Sequence, residues 1–481
     1  MALRSALLWT NRSFWFDEWA SIAVAQHPLS QGIKICALDT HPPLYFVLLR
    51  LSAVLFEFKE WAFRLPSLAA GILLLVFVAL LANRLFGKKV ALLSAYFVAI
   101  SPYFIHLSYE IRNHGLPILF YAAGSFLFFK MIEGSDRKRW QWSYALTACA
   151  ALYTVHFAWF WLTGILGLHF FLSRNEENAK KALKIQALVL CLGIPELCLL
   201  AYNVLHRDEI RGYNLASLHK IAIAAKEIVF VYWNILVGSR FYMHWSSSIF
   251  SAMRSSVFFW LSLTLFLLAS VSIVYEFSMI FKKQKSLFYF LIFICFVPVF
   301  LVSLINTNRL DARYFSFAAL FLILIFSKSL IDSHSKKSRI ALIVLTTLVS
   351  LNGFVYLAQT HVDPMHRDDY QEMTRYVLTH AKKNDLVFIS SPVVNYYSKK
   401  LGIASQAVLT EDLGAWTRSK ASHIERIWIT GGTPLTSCFF KELADRMEAL
   451  GFVPELKFID FGGEDNNTGL NVFKNQAFSK K

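Results

Sequence analysis

Apolar residues run in long blocks through the first three quarters of the chain, separated by short polar breaks. Runs near 65–85, 89–108, 115–132, 140–156, 157–173, 183–202, 256–280, 286–305, 313–331 and 339–358 are each close to the ~20 residues a helix needs to cross a bilayer. Residues 1–10 are apolar but half that length, so the first helix is expected to be shortened or its start placed late. Residues 11–64 form a long first loop. Within it 17–26 and 43–56 have helical periodicity with aromatic residues on one side, as helices lying in a membrane interface do. Arg50 and the run 57–60 favour that reading of 43–56 over a short span. A second long connection, 203–255, contains a helical pattern at 217–238 with Lys220 and Lys226 on a mostly apolar surface: a lid, an interfacial helix or a scaffold helix. From 359 the pattern changes. Residues 385–390, 426–430, 455–461 and 471–473 read as strands, and 368–383 and 437–450 as amphipathic helices. The pattern predicts a polytopic α-helical membrane domain, 1–358, with about 11 transmembrane helices, and a small soluble α/β domain, 359–481.

Charge orients these elements. Basic clusters occur at Arg84, Lys88 and Lys89; at Lys130, Arg137, Lys138 and Arg139; at Arg174, Lys180, Lys181 and Lys184; at Lys282, Lys283 and Lys285; and at Lys336, Lys337 and Arg339. All five fall on one side of the predicted spans, which the positive-inside rule makes the cytoplasm. The first loop, the turns at 109–114, 156 and 306–313, the 203–255 loop and the C-terminal domain then face outward. The expected location is the plasma (inner) membrane, with an extracytoplasmic site. The net charge of +16 would suggest nucleic acid in a soluble chain, but topology explains it here and no nucleic-acid partner is expected. The chain is 56% hydrophobic with 44 Phe, as a membrane protein is. Six scattered cysteines form no CxxC pair, and Gly431-Gly432 reads as a turn because no GxGxxG surrounds it.

Against this apolar background, acids beside a bilayer stand out as costly and usually functional. Asp17 and Glu18 lie among aromatics in Phe14-Trp15-Phe16-Asp17-Glu18-Trp19, and Asp39 and His41 precede the stiff Pro42-Pro43. Asp17 or Glu18 fits a general base taking a proton from an acceptor hydroxyl or amine. On the outward side Arg64, Arg112, Arg309 and Arg313 offer planar forks suited to phosphate. A snorkelling interfacial anchor is the alternative for each.

Five patches in order carry a family resemblance: Ser13 to Trp19; Asp39-Thr40-His41-Pro42-Pro43-Leu44-Tyr45; Arg64-Leu65-Pro66-Ser67; Ser101-Pro102-Tyr103; and Tyr109-Glu110-Ile111-Arg112. Over about the first 115 residues the chain resembles polyprenyl-phosphate-sugar-dependent glycosyltransferases of the GT-C fold. It is most similar in pattern to bacterial members of the protein O-mannosyltransferase superfamily, and more distantly to the lipid A aminoarabinose transferase.

The resemblance implies a polyprenyl-phosphate monosaccharide as donor and an extracytoplasmic acceptor: a protein, a lipid or a cell-envelope glycan. An outward-facing site agrees, since nucleotide sugars are cytosolic. Asp17 matches the first acid of the family's Asp-Glu pair and is the expected base; Glu18 orients it or contacts acceptor. Arg112 stands where the family pattern has an Arg and is the first candidate for the donor phosphate, with Arg64 and Arg313 beside it. Glu110 and His156 are further candidates, His156 because Tyr153-Thr154-Val155-His156 resembles a pattern in relatives. Asp39 and His41 match the family's Asp-x-His-Pro-Pro, and acceptor binding, a hydrogen bond to Asp17 and loop structure all fit. The expected reaction is a single inverting displacement at the anomeric carbon. No cofactor is required; Asp17, Glu18, Asp39 and His41 leave room for a divalent metal that the spacing does not demand. Two other classes compete: a transporter or flippase of a lipid-linked sugar, and an inactive scaffold of the same fold.

Overall fold

In the computed structural model the described residues are 4–5, 13–38, 41–133, 137–172, 177–206, 228–229, 231–237, 257–305, 312–332, 335–359, 370–382, 384–389, 392–401, 408–410, 423–430, 447–448, 452–460 and 469–475. The chain divides into two compact units. One comprises Met1–Trp9 and Ser21–Leu357; the other comprises Thr10–Ala20 and Ala358–Lys481.

The first unit is helical. Helices α1 (Phe16–Gln26), α2 (Leu29–Leu38) and α3 (Leu44–Leu55) occupy the first loop; α2 is an element the sequence pattern did not predict. A 3₁₀ turn, Glu60–Arg64, leads into α4 (Leu65–Phe86). Then follow α5 (Lys88–Ile100), α6 (Pro102–Leu107), α7 (Gly115–Glu133), α8 (Arg137–Leu152), α9 (Ala158–Leu172), α10 (Glu177–His206), α11 (Val257–Lys283), α12 (Lys285–Ile305), α13 (Ser316–Asp332) and α14 (Lys336–Gln359). Among the described residues, 7 helices are long and apolar enough to cross a membrane. The remaining expected spans are the broken α5–α6 pair, the shorter α8 and α9, and the shortened first helix at 1–10, of which only 4–5 are described. Of 217–238, only 228–229 and 231–237 are described, and they are helical.

The expected span 89–108 is two helices, for a physical reason. Pro102 has no N–H, and it drives the preceding residue out of the helical region; Ser101 is extended, with ψ 124°. The carbonyl of Val98, which a residue 102 N–H would have satisfied, would be left open in apolar surroundings. Arg4 fills it. Its Nη2 donates to Val98 O at 2.7 Å, its Nη1 to Ala99 O at 3.3 Å and its Nε to Ser108 Oγ at 2.9 Å. Gly71 on α4 permits this approach, because a Cβ there would lie 2.1 Å from Ser108 Oγ. Arg4→Met, which keeps the apolar stem, is expected to cost ~1–3 kcal/mol for the reopened acceptors. A lower unfolding midpoint of the purified protein in detergent checks this, and an unchanged midpoint would refute it.

Burial of the apolar faces of α4, α7 and α13 builds the core. Helix α13 is almost wholly enclosed, from Ser316 through Leu330. Glu196 on α10 and Glu276 on α11 are acids buried in apolar helices. Glu276 on α11 accepts from Lys328 Nζ of α13 at 2.5 Å, and Lys328 also reaches Asp332 at 2.6 Å.

The second unit carries a five-stranded sheet in the order β2 (Val408–Thr410), β1 (Leu386–Ile389), β3 (Arg426–Thr430), β5 (Gly469–Asn475), β4 (Phe452–Asp460). β1 is parallel to β2 and β3, and β5 is antiparallel to β3 and β4. Helices α15 (Tyr370–His380) and α16 (Pro392–Leu401) accompany it. β2 and α16 were not predicted, and most of 437–450 lies outside the described residues. Buried Asp385 fastens the turn into β1. It accepts from Lys382 N at 2.8 Å, and from Arg426 Nη2 and Trp428 Nε1 at 2.9 Å each.

The segment Thr10–Ala20, placed by the sequence reading in the first loop of the membrane domain, packs in this second unit. Phe14 N donates to Tyr397 Oη at 2.8 Å, Gln371 N donates to Ser13 Oγ at 3.2 Å, and the rings of Trp19 and Tyr396 lie 4.9 Å apart. The aromatics Phe14 and Trp19 anchor the segment to α16, and Ser13 anchors it to α15.

Candidate functional site

In the first unit, four short segments meet at the helix ends remote from the basic loops. They are the start of α3, the 3₁₀ turn before α4, the turn 109–114 between α6 and α7, and the 3₁₀ turn Ala312–Phe315 before α13. Each follows a stiff or polar break in an apolar run, so their polar side chains converge where the helices begin.

The turn 109–114 is the centre. Arg64 Nη1 donates to Tyr109 O at 2.8 Å, and its guanidinium stands 6.0 Å from the Tyr109 ring centroid. Ser67 Oγ donates to Glu110 O at 2.7 Å and is 3.2 Å from Tyr45 Oη. The Glu110 carboxylate, 1% exposed, forms an ion pair with Nη1 of Arg313, 4% exposed. His106 Nε2 lies 3.9 Å from Glu110 Oε2, and its Nδ1 is 2.9 Å from Tyr109 Oη. Tyr103 Oη donates to Ala312 O at 2.9 Å, tying α6 to the Arg313 turn. Arg313 thus already faces a carboxylate, and Arg64 a carbonyl.

Arg112 is held differently. Its Nη1 lies 3.4 Å from Ser21 Oγ and its Nη2 3.4 Å from His41 Nε2, both at the long limit of a hydrogen bond. A guanidinium only donates, so His41 Nε2 is the acceptor and the ring proton sits on Nδ1. The structure therefore brings together Arg112 and His41, named from the sequence 71 residues apart. Asp39 and Arg309 lie outside the described residues.

A second cluster adjoins this one. Asn113 Nδ2 donates to Thr154 O at 3.0 Å, and Leu44 N, just after Pro42-Pro43, donates to Tyr153 O at 2.9 Å. In the same turn His156 Nδ1 pairs with one oxygen of buried Glu196, while Trp159 Nε1 donates to the other. Glu196 was missed in the sequence reading. Its signal was an acid beside Pro195 inside an apolar run, where an unpaired carboxylate would be costly. His106, Ser67, Tyr45 and His114 were also missed, because a single polar residue in a turn does not declare its partners.

His114 is 2% exposed, and its ring meets the Tyr314 ring edge-on at 5.2 Å. Burial first, then the charges of Arg313 and Arg112, hold it well below the ordinary imidazole value, so it is neutral at pH 7. The unfolded chain binds the proton near pH 6.5 and the folded chain does not, so folding loses stability as pH falls below ~6.5.

Asp17 and Glu18 occupy the first turn of α1, where the N-terminal end of the helix dipole favours negative charge. Glu18 is buried and Asp17 half-buried, as two adjacent residues ~100° apart on a helix are when one side is covered. Among the described residues no group of three or more His, Cys, Asp or Glu is placed to hold a metal ion.

Residues 40–198 match the sequence profile of the family described as dolichyl-phosphate-mannose-protein mannosyltransferase. This stretch holds His41, Arg64, Glu110, Arg112 and His156. No curated protein sequence matches significantly. Among solved structures, ArnT from Cupriavidus metallidurans bound to undecaprenyl phosphate is similar at TM-score 0.55 and 12% identity. The match covers 97% of this chain and 95% of that one. The apo state of that protein is similar at TM-score 0.51 and 12% identity, covering 90% and 87%. The archaeal oligosaccharyltransferase AglB from Archaeoglobus fulgidus, in complex with an inhibitory peptide and a dolichol-phosphate, is similar at TM-score 0.50 and 12% identity, covering 92% and 68%.

Proposed function

We propose, from the GT-C glycosyltransferase fold that this polytopic membrane chain carries, that it transfers a sugar from a polyprenyl-phosphate donor to an extracytoplasmic acceptor. The observation that carries the proposal is the cluster of Arg64, Arg112 and Arg313 around the turn 109–114. It stands at the mouths of apolar helices and within or beside the stretch that matches the family profile. Apolar helices suit an isoprenoid tail, and cations at their ends suit its phosphate. The ligands of the two similar proteins, undecaprenyl phosphate and dolichol-phosphate, have this chemistry.

In this reading Arg112 binds the donor phosphate directly, its planar fork presenting paired donors to the phosphate oxygens. Arg313 and Arg64 brace the turn that carries it, and Glu110 holds Arg313. Asp17 is the base, and Glu18 positions it. The acceptor O–H or N–H attacks the anomeric carbon, and the carbon–oxygen bond to phosphate breaks with its electron pair left on the phosphate. The acceptor proton passes to Asp17, giving inversion at the sugar. His41 orients Arg112, and Glu196 holds His156 and its turn. In this reading the five basic loops face the cytoplasm, and the end of the helices that carries the site faces outward.

The test is transfer of labelled sugar in membranes containing the chain, with polyprenyl-phosphate sugars and nucleotide sugars offered separately. Transfer from the lipid donor alone is expected. Transfer only from a nucleotide sugar, or none from any donor with the protein stably inserted, would refute it. Arg112→Lys keeps the charge but loses the fork. It is expected to lower transfer at limiting donor by ~10-fold, about one charge-assisted hydrogen bond, and an unchanged rate would remove Arg112 from phosphate binding.

A further inference from the structure

Neither ring nitrogen of buried His114 has a hydrogen-bond partner among the described residues. Two polar atoms left unmatched in the interior are costly, and native structures rarely tolerate them without a ligand or water. The groups that face this ring are Arg313, Arg112, His41 and His106, with Glu110 as the counter-charge of Arg313. Positive charge therefore dominates around an imidazole that still has both nitrogens to offer. An anion seated here would meet Arg112 and the ring together. It would also offset the guanidinium charges that, after burial, keep the ring from protonating.

We propose that His114 is a proton-uptake ligand for a phosphate monoester: it gains a proton as the dianion enters and donates that N–H to a phosphate oxygen. This rests on Arg112 being the donor-phosphate residue. It adds a distinction between donor and product at that site. The donor is a phosphodiester with one negative charge. When the anomeric carbon–oxygen bond breaks, the electron pair stays with phosphate and the leaving polyprenyl phosphate carries two. The acceptor proton goes to the base, and the proton that His114 gains comes from water. Donor is met by a neutral ring and product by a charged one, so the product is retained until the ring releases its proton.

The experiment uses the full chain in detergent at pH 8, with farnesyl phosphate as monoester probe and its methyl diester as comparison. Calorimetric titrations in two buffers of different ionisation heat count the protons taken up. A monoester is dianionic at pH 8, its second pKa being about 6. The wild type is expected to take up about one proton with the monoester and none with the diester. His114→Asn is expected to take up none and to bind the monoester ~10–100-fold more weakly, the scale of a hydrogen bond to a charged group. Its diester affinity stays the same, which shows an intact site; His114→Gln serves if the Asn variant does not fold. No proton uptake by the wild type, or equal uptake by the variant, overturns the proposal and leaves the donor site standing. No binding of either probe by the wild type overturns the donor-site reading itself.

Discussion

Asp17→Asn lowers sugar transfer by ~10²–10⁴-fold, the usual contribution of a positioned general base. Asn has the same shape but cannot take the acceptor proton. The fold is expected to survive the change, because Asn fills the same space at a half-buried position in the first turn of α1. Donor affinity is therefore expected to hold while turnover collapses. Glu18→Gln should cost less, since a positioning neighbour acts only through Asp17. The measurement is labelled-sugar transfer at equal protein level, with donor titrated. Equal turnover by wild type and Asp17→Asn would leave the transferase reading in place and take Asp17 out of the mechanism.

Glu110→Ala is expected to destabilise the membrane unit by ~3–5 kcal/mol, because it strips the carboxylate from a guanidinium that stays buried. Arg313 is 4% exposed and bonded to Glu110, so it cannot swing into water without displacing the start of α13. The pair with Arg313→Met separates the charge effect from packing. If the ion pair is the cause, Glu110→Ala with Arg313→Met loses less than the sum of the two single variants. Unfolding midpoints of all four proteins in one detergent give the coupling. Strict additivity would mean that the pair contributes nothing and that Glu110 acts through its other contacts.

Much of this was legible in the pattern of the chain. Lengths of apolar runs located α4, α7 and α10 through α14 within a few residues, since crossing a bilayer fixes length and composition together. The break at Ser101-Pro102 was visible as Pro, but not the rescue of Val98 O, because an arginine 94 residues earlier leaves no local trace. The site divided in the same way. His41 and Arg112 were nominated separately from family-like patches, and the structure joins them. The pairing of Arg313 with Glu110 was not foreseen, although both residues were named, because sequence spacing says nothing about contacts between turns 203 residues apart. His114 was passed over because one buried imidazole has no periodicity to betray it. In the C-terminal unit, alternation found β1, β3, β4 and β5. It missed β2, whose 3 residues are too few to show a period.

The attachment of Thr10–Ala20 to the C-terminal unit has a consequence for biogenesis. The two acids are made before helices α4 to α14. The residues that anchor their segment, Tyr397 through the Phe14 N–H and Gln371 through Ser13, are made more than 350 residues later. A nascent or prematurely terminated chain can insert its helices and fold around the arginines, yet its acidic strip has nothing to dock on. Synthesis of α15 and α16 is thereby built in as a licence, and a copy that lacks them has no such anchor for its acids.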